Sequence, residues 1–168
     1  MYPAQLPDKG PFVIRYPRGR GVLADWHCEL EEVKVGTGRK LHDGKDVAVL
    51  SFGPVGNNVE EAIEMMETST PQLSIAHYDM RFVKPLDTEI LKGVAQQFDR
   101  IITIEDGARE GGFGSAVLEW LEDNGYRKNV VRLGLPDHFV EHGTVAELQH
   151  IVGIDAEGII DAVNDIIK

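Results

Sequence analysis

From residue 46 onward, short apolar runs alternate with longer stretches whose apolar residues recur three or four positions apart. The runs at 46–53, 73–80, 100–105 and 129–135 predict strands, and such near-continuous apolar strands are typical of a sheet covered on both faces. The intervening and following stretches have the spacing of amphipathic helices. Strands that alternate with helices form mostly parallel sheets through βαβ crossovers.

The pattern therefore predicts an α/β fold with three layers, in which helices flank a mostly parallel five-stranded sheet. Asp87 and Asp155 directly precede two of the predicted helices, where an aspartate commonly caps the first turn. Neither internal repeats nor low-complexity segments interrupt this pattern.

The first 45 residues follow no such regular pattern. GPFVIRYPRG, residues 10–19, alternates like a strand and is stopped by Pro17 and Gly19. Residues 21–45 lack clear periodicity and are interpreted as a linker with a short extended piece near Glu32–Val35. We expect a domain boundary between Arg20 and Asp46.

Composition narrows the class of protein. A chain of 168 residues with 42% hydrophobic and 27% charged residues fits one soluble domain, with or without an appendage, and has no apolar run long enough to span a membrane. A formal charge of −11 argues against a nucleic-acid partner. The single cysteine, Cys28, excludes an internal disulfide, and with no signal-peptide pattern at the N-terminus it suits a cytoplasmic location.

In an open parallel sheet, functional residues gather where the strands end at their carboxyl side. After the third predicted strand, the turn Gly111–Ser115 could aim backbone N–H groups at an anion, although close helix–strand packing explains it better. Glu105 and Asp106 could form an acid/base pair. However, neighbours on a strand point to opposite faces, so a helix-capping or interface role is favoured.

Three other patterns contain residue types found in catalytic, metal-binding or anion-binding sites. The stretch from His138 to His142 matches the zinc pattern H-x-x-E-H, but Pro136 and Gly143 leave too little room for the helix that a zinc site needs, so we interpret it as a loop. Ser51 and Ser115 lie outside any G-x-S-x-G elbow. Arg81 and Lys84, in DMRFVKPLD, could bind a substrate anion or form a salt bridge between domains or subunits.

Two arginines near the N-terminus stand out in this acidic chain. Arg15 and Arg18 surround a Tyr-Pro pair where the predicted strand ends, and a guanidinium group suits a phosphate or a carboxylate. Arg18 could hold a phosphate-bearing substrate or be a surface arginine, and Arg15 could be a buried ion-pair partner. Pattern alone leaves these alternatives open.

Taken in order, IRYPRG, DMRFVKPLD, TIEDGAREGGFGSAV and LGLPDHFVEHG resemble the C-terminal part of the 1-deoxy-D-xylulose 5-phosphate synthase family, one of the transketolase-like enzymes. The resemblance runs from about Gly10 to the end of the chain. It implies that residues 1–20 end a preceding pyrimidine-binding domain, that 21–45 form a linker, and that 46–168 form a transketolase C-terminal-like domain.

The same resemblance implies a function for the full-length enzyme. Such an enzyme condenses pyruvate with glyceraldehyde 3-phosphate, losing CO2, and uses thiamine diphosphate and Mg²⁺, which this part of the chain is not expected to bind. In the family, the second arginine of RYPRG contacts the substrate phosphate, a role that falls on Arg18, while Arg15 would support it. The expected partners are the missing N-terminal and pyrimidine domains and a second copy in a homodimer. His142 receives no catalytic role.

Two other interpretations remain at this point. A 2-oxoacid dehydrogenase β-subunit or a transketolase would share the fold, but the RYPRG arginine and the GLPD loop argue against both. A free-standing α/β nucleotide-binding or oligomerisation module is a different class of protein. It would bind nucleotide by itself and would have no upstream domains.

Overall fold

The computed structural model describes residues 2–7, 10–11, 21, 25 and 27–168. The chain divides into two compact units, Met1–Val35 and Gly36–Lys168. In the first unit, Tyr2–Gln5 forms a 3-10 helix. The second unit contains the sheet and its helices, so the site described below belongs to this unit.

The second unit contains five strands and five helices in the order β1, β2, α1, β3, α2, β4, α3, β5, α4, α5. The strands are Arg39–His42 (β1), Val47–Phe52 (β2), Ile75–Asp79 (β3), Arg100–Ala108 (β4) and Asn129–Leu135 (β5). The helices are Gly56–Ser69 (α1), Thr88–Gln97 (α2), Phe113–Asp123 (α3), Val145–Val152 (α4) and Ala156–Ile166 (α5).

The sheet has the strand order β1-β3-β2-β4-β5, in which β1 pairs with β3 antiparallel and the other neighbours are parallel. Along β2, Val47 and Val49 join the core beneath α1 and α5, whereas Ala48 and Leu50 join the core beneath α2 and α3. Helices therefore cover both faces of a mostly parallel five-stranded sheet, which confirms the predicted fold class.

Two predicted helix starts are confirmed by their hydrogen bonds. The Asp87 carboxylate accepts the backbone N–H groups of Glu89 and Ile90, and Asp155 accepts that of Gly158. Each aspartate thus satisfies N–H groups that have no partner within the helix.

Two elements were not predicted. The structure has no strand at Glu32–Val35. Instead, the edge strand lies at Arg39–His42, within the predicted linker, and its short polar sequence carries no apolar run. Helix α4 was also missed, although Val145, Leu148 and Val152 have helical spacing; it spans only eight residues. A capping box between Thr144 and Glu147 fixes its start.

Candidate functional site at the carboxyl edge of the sheet

The carboxyl ends of the parallel strands β2 to β5 meet at one edge of the sheet. The connection after β2 crosses one face through α1, and the connection after β4 crosses the other face through α3. The two strands are neighbours, so the chain reverses its winding between them, and in this fold class ligands bind outside such a reversal point. The crevice between β2 and β4 is therefore the candidate site.

Glu105 lies beside this crevice, at the glycine turn whose backbone N–H groups could face an anion. It lies at the carboxyl side of β4, is 5% exposed, and accepts the backbone N–H groups of Phe113 and Gly114, both at 2.9 Å. The neighbouring Asp106 is exposed, as the alternation along a strand requires. The helix-capping role of Glu105 is confirmed, and the anion at the start of α3 is the protein's own carboxylate.

The glycine turn before α3 packs closely around that carboxylate. A Cβ atom on Gly112 would overlap the Ala108 carbonyl oxygen and the Glu105 carboxylate. The Phe113 ring also stacks on Phe52 at the end of β2, with 5.7 Å between ring centroids. The chain's own side chains thus pack into the crevice between β2 and β4, and close packing explains Gly112 and Gly114. Gly111 instead adopts φ 75°, a conformation that favours glycine.

A buried hydrogen-bond chain links β2, β3 and α1 near the same edge. The Ser51 hydroxyl and Nε2 of His77 lie 2.8 Å apart, and Nδ1 of His77 bonds the Glu60 carboxylate. Burial lowers the pKa of His77, against the smaller raising effect of Glu60. The neutral ring therefore donates from Nδ1 to the carboxylate and accepts the Ser51 O–H at Nε2.

This serine–histidine–carboxylate order is also that of a nucleophilic triad. However, Ser51 is 1% exposed and His77 is fully buried, so no substrate carbonyl can reach the hydroxyl. The network instead links β2, β3 and α1 through hydrogen bonds. Sequence reasoning missed it because nothing in the sequence shows that Ser51, Glu60 and His77 meet.

The Ser115 hydroxyl is likewise used in hydrogen bonds that hold the structure together. Its hydroxyl accepts the N–H of Gly111 and an N–H of Arg132, and it donates to the carbonyl oxygen of Arg109. These bonds tie the turn before α3 to β5. Neither serine considered for a hydrolase is therefore available as a nucleophile.

The basic residues of DMRFVKPLD follow β3. Arg81 adopts the left-handed conformation at φ 56°, which is uncommon outside glycine, asparagine and aspartate. Its Nε lies 3.8 Å from a carboxylate oxygen of Asp79, which also accepts Nε–H of Arg39 at 3.0 Å. Arg81 thus has an ion-pair partner within its own loop. A contact of Arg81 or Lys84 with substrate or with another domain stays a prediction.

The H-x-x-E-H stretch forms a loop between β5 and α4, as interpreted from the sequence. Within the described part of the chain, the three side chains placed to share a metal ion are instead His150, Asp155 and Glu157, at the junction of α4 and α5. Nδ1 of His150 lies 2.7 Å from the Asp155 carboxylate, which raises the pKa of His150. An ion pair accounts for this contact.

Arg15 and Arg18 lie outside the described residues. Their predicted contacts with a substrate phosphate therefore stay predictions. The carboxyl edge of the sheet shows a capped helix and a buried network, both made of the chain's own groups.

Comparison with known proteins shows the family to which the chain belongs. Residues 36–159 match the family described as transketolase, C-terminal domain. The chain is 60% identical over 159 residues to 1-deoxy-D-xylulose-5-phosphate synthase of Bacteroides thetaiotaomicron. The aligned residues make up 95% of this chain and 24% of the relative. The chain is 53% identical over 167 residues to the synthase of Cytophaga hutchinsonii, covering 99% of this chain and 26% of the relative.

A solved structure described as a split gene transketolase, inactive beta4 tetramer, shares the fold. It superposes on this chain with a TM-score of 0.73 at 32% sequence identity. The superposed region makes up 80% of this chain and 43% of the chain in that structure. The chain spans about a quarter of the length of the synthases that it matches. None of the helices described here is long and apolar enough to cross a membrane.

Proposed function

Because the chain belongs to the transketolase C-terminal domain family, we propose that it is the C-terminal domain of a 1-deoxy-D-xylulose 5-phosphate synthase. The observation that carries the proposal is the identity of 60% to a synthase of that name along 95% of the chain. The full-length enzyme condenses pyruvate with glyceraldehyde 3-phosphate and releases CO2. Its product supplies isoprenoid and thiamine precursors, and the enzyme acts in the cytoplasm as a homodimer.

The described residues support a structural role for this domain. The helix start that could cradle a diphosphate is taken by Glu105, which bonds the N–H groups of Phe113 and Gly114. We place the sites of thiamine diphosphate and Mg²⁺ on the preceding domains, and the occupied start of α3 is compatible with that placement. When bound, thiamine diphosphate supplies the electron sink for decarboxylation. This domain by itself is inactive.

The chain's own contribution to substrate binding comes from Arg18, with support from Arg15. The guanidinium group of Arg18 holds the phosphate of glyceraldehyde 3-phosphate, which serves as a handle remote from the reacting carbon. Pyruvate carries no phosphate. A variant of Arg18 should therefore discriminate between the two substrates.

The test is steady-state kinetics of the full-length enzyme, with pyruvate and glyceraldehyde 3-phosphate varied separately. Arg18→Ala removes one charge-assisted contact, worth about 1.5–3 kcal/mol, and should lower kcat/KM for the aldehyde by roughly tenfold to a hundredfold. The KM for pyruvate should hardly change. Arg20→Ala, which removes an arginine two residues away, is the matched control.

Three other results would contradict parts of this proposal. Unchanged kinetics for both substrates in Arg18→Ala would show that Arg18 does not hold the phosphate. If the native full-length protein makes no deoxyxylulose phosphate, the proposed function itself is wrong. An upstream reading frame without further domains would favour the free-standing module.

A further inference from the structure

Asn124 and Gly125, which directly follow α3, form the one Asn-Gly pair in the sequence. Asparagine is among the chemically unstable residues of proteins, because its side-chain amide can be attacked by the backbone nitrogen of the next residue. A glycine in that next position has no side chain to hinder the attack. Both residues are exposed to solvent. The pair therefore has the residue types and the exposure of a site of spontaneous deamidation.

The backbone after α3 holds this pair in a Schellman motif. Gly125 has the left-handed conformation at φ 74°, and its N–H donates to the carbonyl oxygen of Glu122 at 3.0 Å. The N–H of Tyr126 donates to the carbonyl oxygen of Leu121 at 2.9 Å. The Tyr126 ring also stacks on Trp120, with 5.8 Å between ring centroids, which supplies the apolar contact common in this motif. The attacking nitrogen is thus already used as a hydrogen-bond donor.

The side chain of Asn124 makes a separate hydrogen bond. Its Nδ2 donates to the Trp120 carbonyl oxygen at 2.8 Å, which holds the amide group against the preceding turn of α3. Deamidation requires the Gly125 nitrogen to lose its proton and to reach Cγ of Asn124. A hydrogen-bonded backbone amide loses its proton to base only after local opening, as amide exchange shows. Both bonds must therefore open before the reaction can begin.

We propose that Asn124 is a deamidation site that the Schellman motif protects while the end of α3 is folded. When the motif opens, the Gly125 nitrogen loses its proton and bonds to Cγ of Asn124, and the Nδ2 group leaves as ammonia. Water then hydrolyses the cyclic imide and yields either aspartate or isoaspartate. The reaction consumes water and needs no oxidant, reductant or cofactor, so it does not depend on the proposed activity.

The product weakens the turn that protected the asparagine. The new carboxylate has no donor for the Trp120 carbonyl oxygen, and it adds a negative charge where the helix end already carries negative partial charge. Glu122 and Asp123 directly precede it, so three acidic side chains follow one another. A modified molecule therefore closes the motif less readily than an unmodified one.

The test incubates the full-length protein at mildly alkaline pH, with and without enough urea to unfold it, and maps its peptides by mass spectrometry. The peptide that contains Asn124 should gain the mass that marks conversion of an amide into a carboxylate. This gain should be at least about tenfold slower in the native protein than in the unfolded protein. Asn124→Gln should remove the signal from this peptide.

Tyr126→Ser tests the motif itself, because it removes the ring that stacks on Trp120 and keeps both residues of the reactive pair. Loss of an aromatic contact should speed the native reaction by about twofold to twelvefold and leave the rate in urea unchanged. Phe139→Ser is the matched control. It changes an exposed aromatic residue in the loop after β5, and it should leave both rates unchanged.

The remaining results would overturn the proposal. Equal rates in the native and the unfolded protein would show that the motif gives no protection, and this comparison needs no variant. If Tyr126→Ser reacts no faster than the native protein, a different part of the fold protects Asn124. A mass gain confined to other peptides of the unfolded protein would show that Asn124 is not the site.

Discussion

At the scale of single residues, His77 links the sheet to α1 most directly. Its ring is fully buried between the Ser51 hydroxyl and the Glu60 carboxylate, and burial lowers its pKa below the ordinary value of 6.5. The unfolded chain therefore binds a proton at this position more readily than the folded chain does. The contribution of the neutral His77 ring to the free energy of unfolding is therefore complete above pH 6.5. It is lost as the pH falls from 6.5 toward the lowered pKa.

We therefore expect the free energy of unfolding to fall as the pH drops from 6.5 toward the lowered pKa, with a slope of up to about 1.4 kcal/mol per pH unit from this one proton. His77→Gln should be less stable at every pH but should show a shallower fall. Urea unfolding at a series of pH values measures both quantities.

His150 provides the matched control because its shift has the opposite sign. The neighbouring Asp155 raises the pKa of His150, so its contribution is complete below pH 6.5 and is lost as the pH rises through the raised value. His150→Gln should leave the acid-side loss in place or make it steeper. An unchanged slope in His77→Gln would show that other groups cause the acid sensitivity.

At the scale of elements, the start of α3 depends on a fit between a carboxylate and a glycine. Gly112 has φ −87°, a conformation that any residue adopts, so its lack of a side chain serves packing rather than backbone freedom. A Cβ atom there would meet Glu105 and the Ala108 carbonyl group. The strand, the turn and the helix are therefore fixed together.

Gly112→Ala should destabilise the protein by about 1–3 kcal/mol because the added methyl group overpacks this junction and disturbs the buried carboxylate. Gly93→Ala is the control: it lies inside α2, and its Cβ would have no heavy atom within 4 Å. That change should stabilise the protein by about 1 kcal/mol through helix propensity. Denaturant midpoints compare the two, and equal effects would contradict the packing argument.

At the scale of the whole molecule, β1 decides where the folded domain begins. This strand covers one edge of β3 through the pairs Arg39 with Asp79 and Lys40 with Tyr78. The N–H of Gly38 also donates to the Asp87 carboxylate at 2.8 Å. Without these residues, β3 would become an edge strand with unpaired backbone groups.

A fragment of residues 36–168 should therefore unfold in one cooperative transition, whereas a fragment of residues 46–168 should be less stable and more prone to aggregate. The second fragment starts at the boundary predicted from the sequence, so the pair tests that boundary. Circular dichroism during urea unfolding and light scattering give the two readouts. Equal stability of the fragments would place the boundary at 46.

Local pattern determined much of this fold. The runs that became β2 and β5 were predicted within one residue at each end. For β2 the reason is that a strand covered on both faces must be apolar at nearly every position. Asp87 and Asp155 were predicted as caps because their bonds reach only two or three residues along the chain. A helix-capping or interface role for Glu105 was favoured because neighbours on a strand point to opposite faces.

Tertiary structure decided the rest. Ser51, Glu60 and His77 meet only because β2, α1 and β3 pack together, and no local spacing encodes that meeting. The strand β1 is polar and gains its place from pairing with β3, not from burial. The exposure of Phe139 is likewise invisible in a sequence, where an apolar residue is expected inside. Periodicity records which side of an element is apolar, whereas contacts between distant segments and the surfaces left uncovered are settled only when the elements assemble.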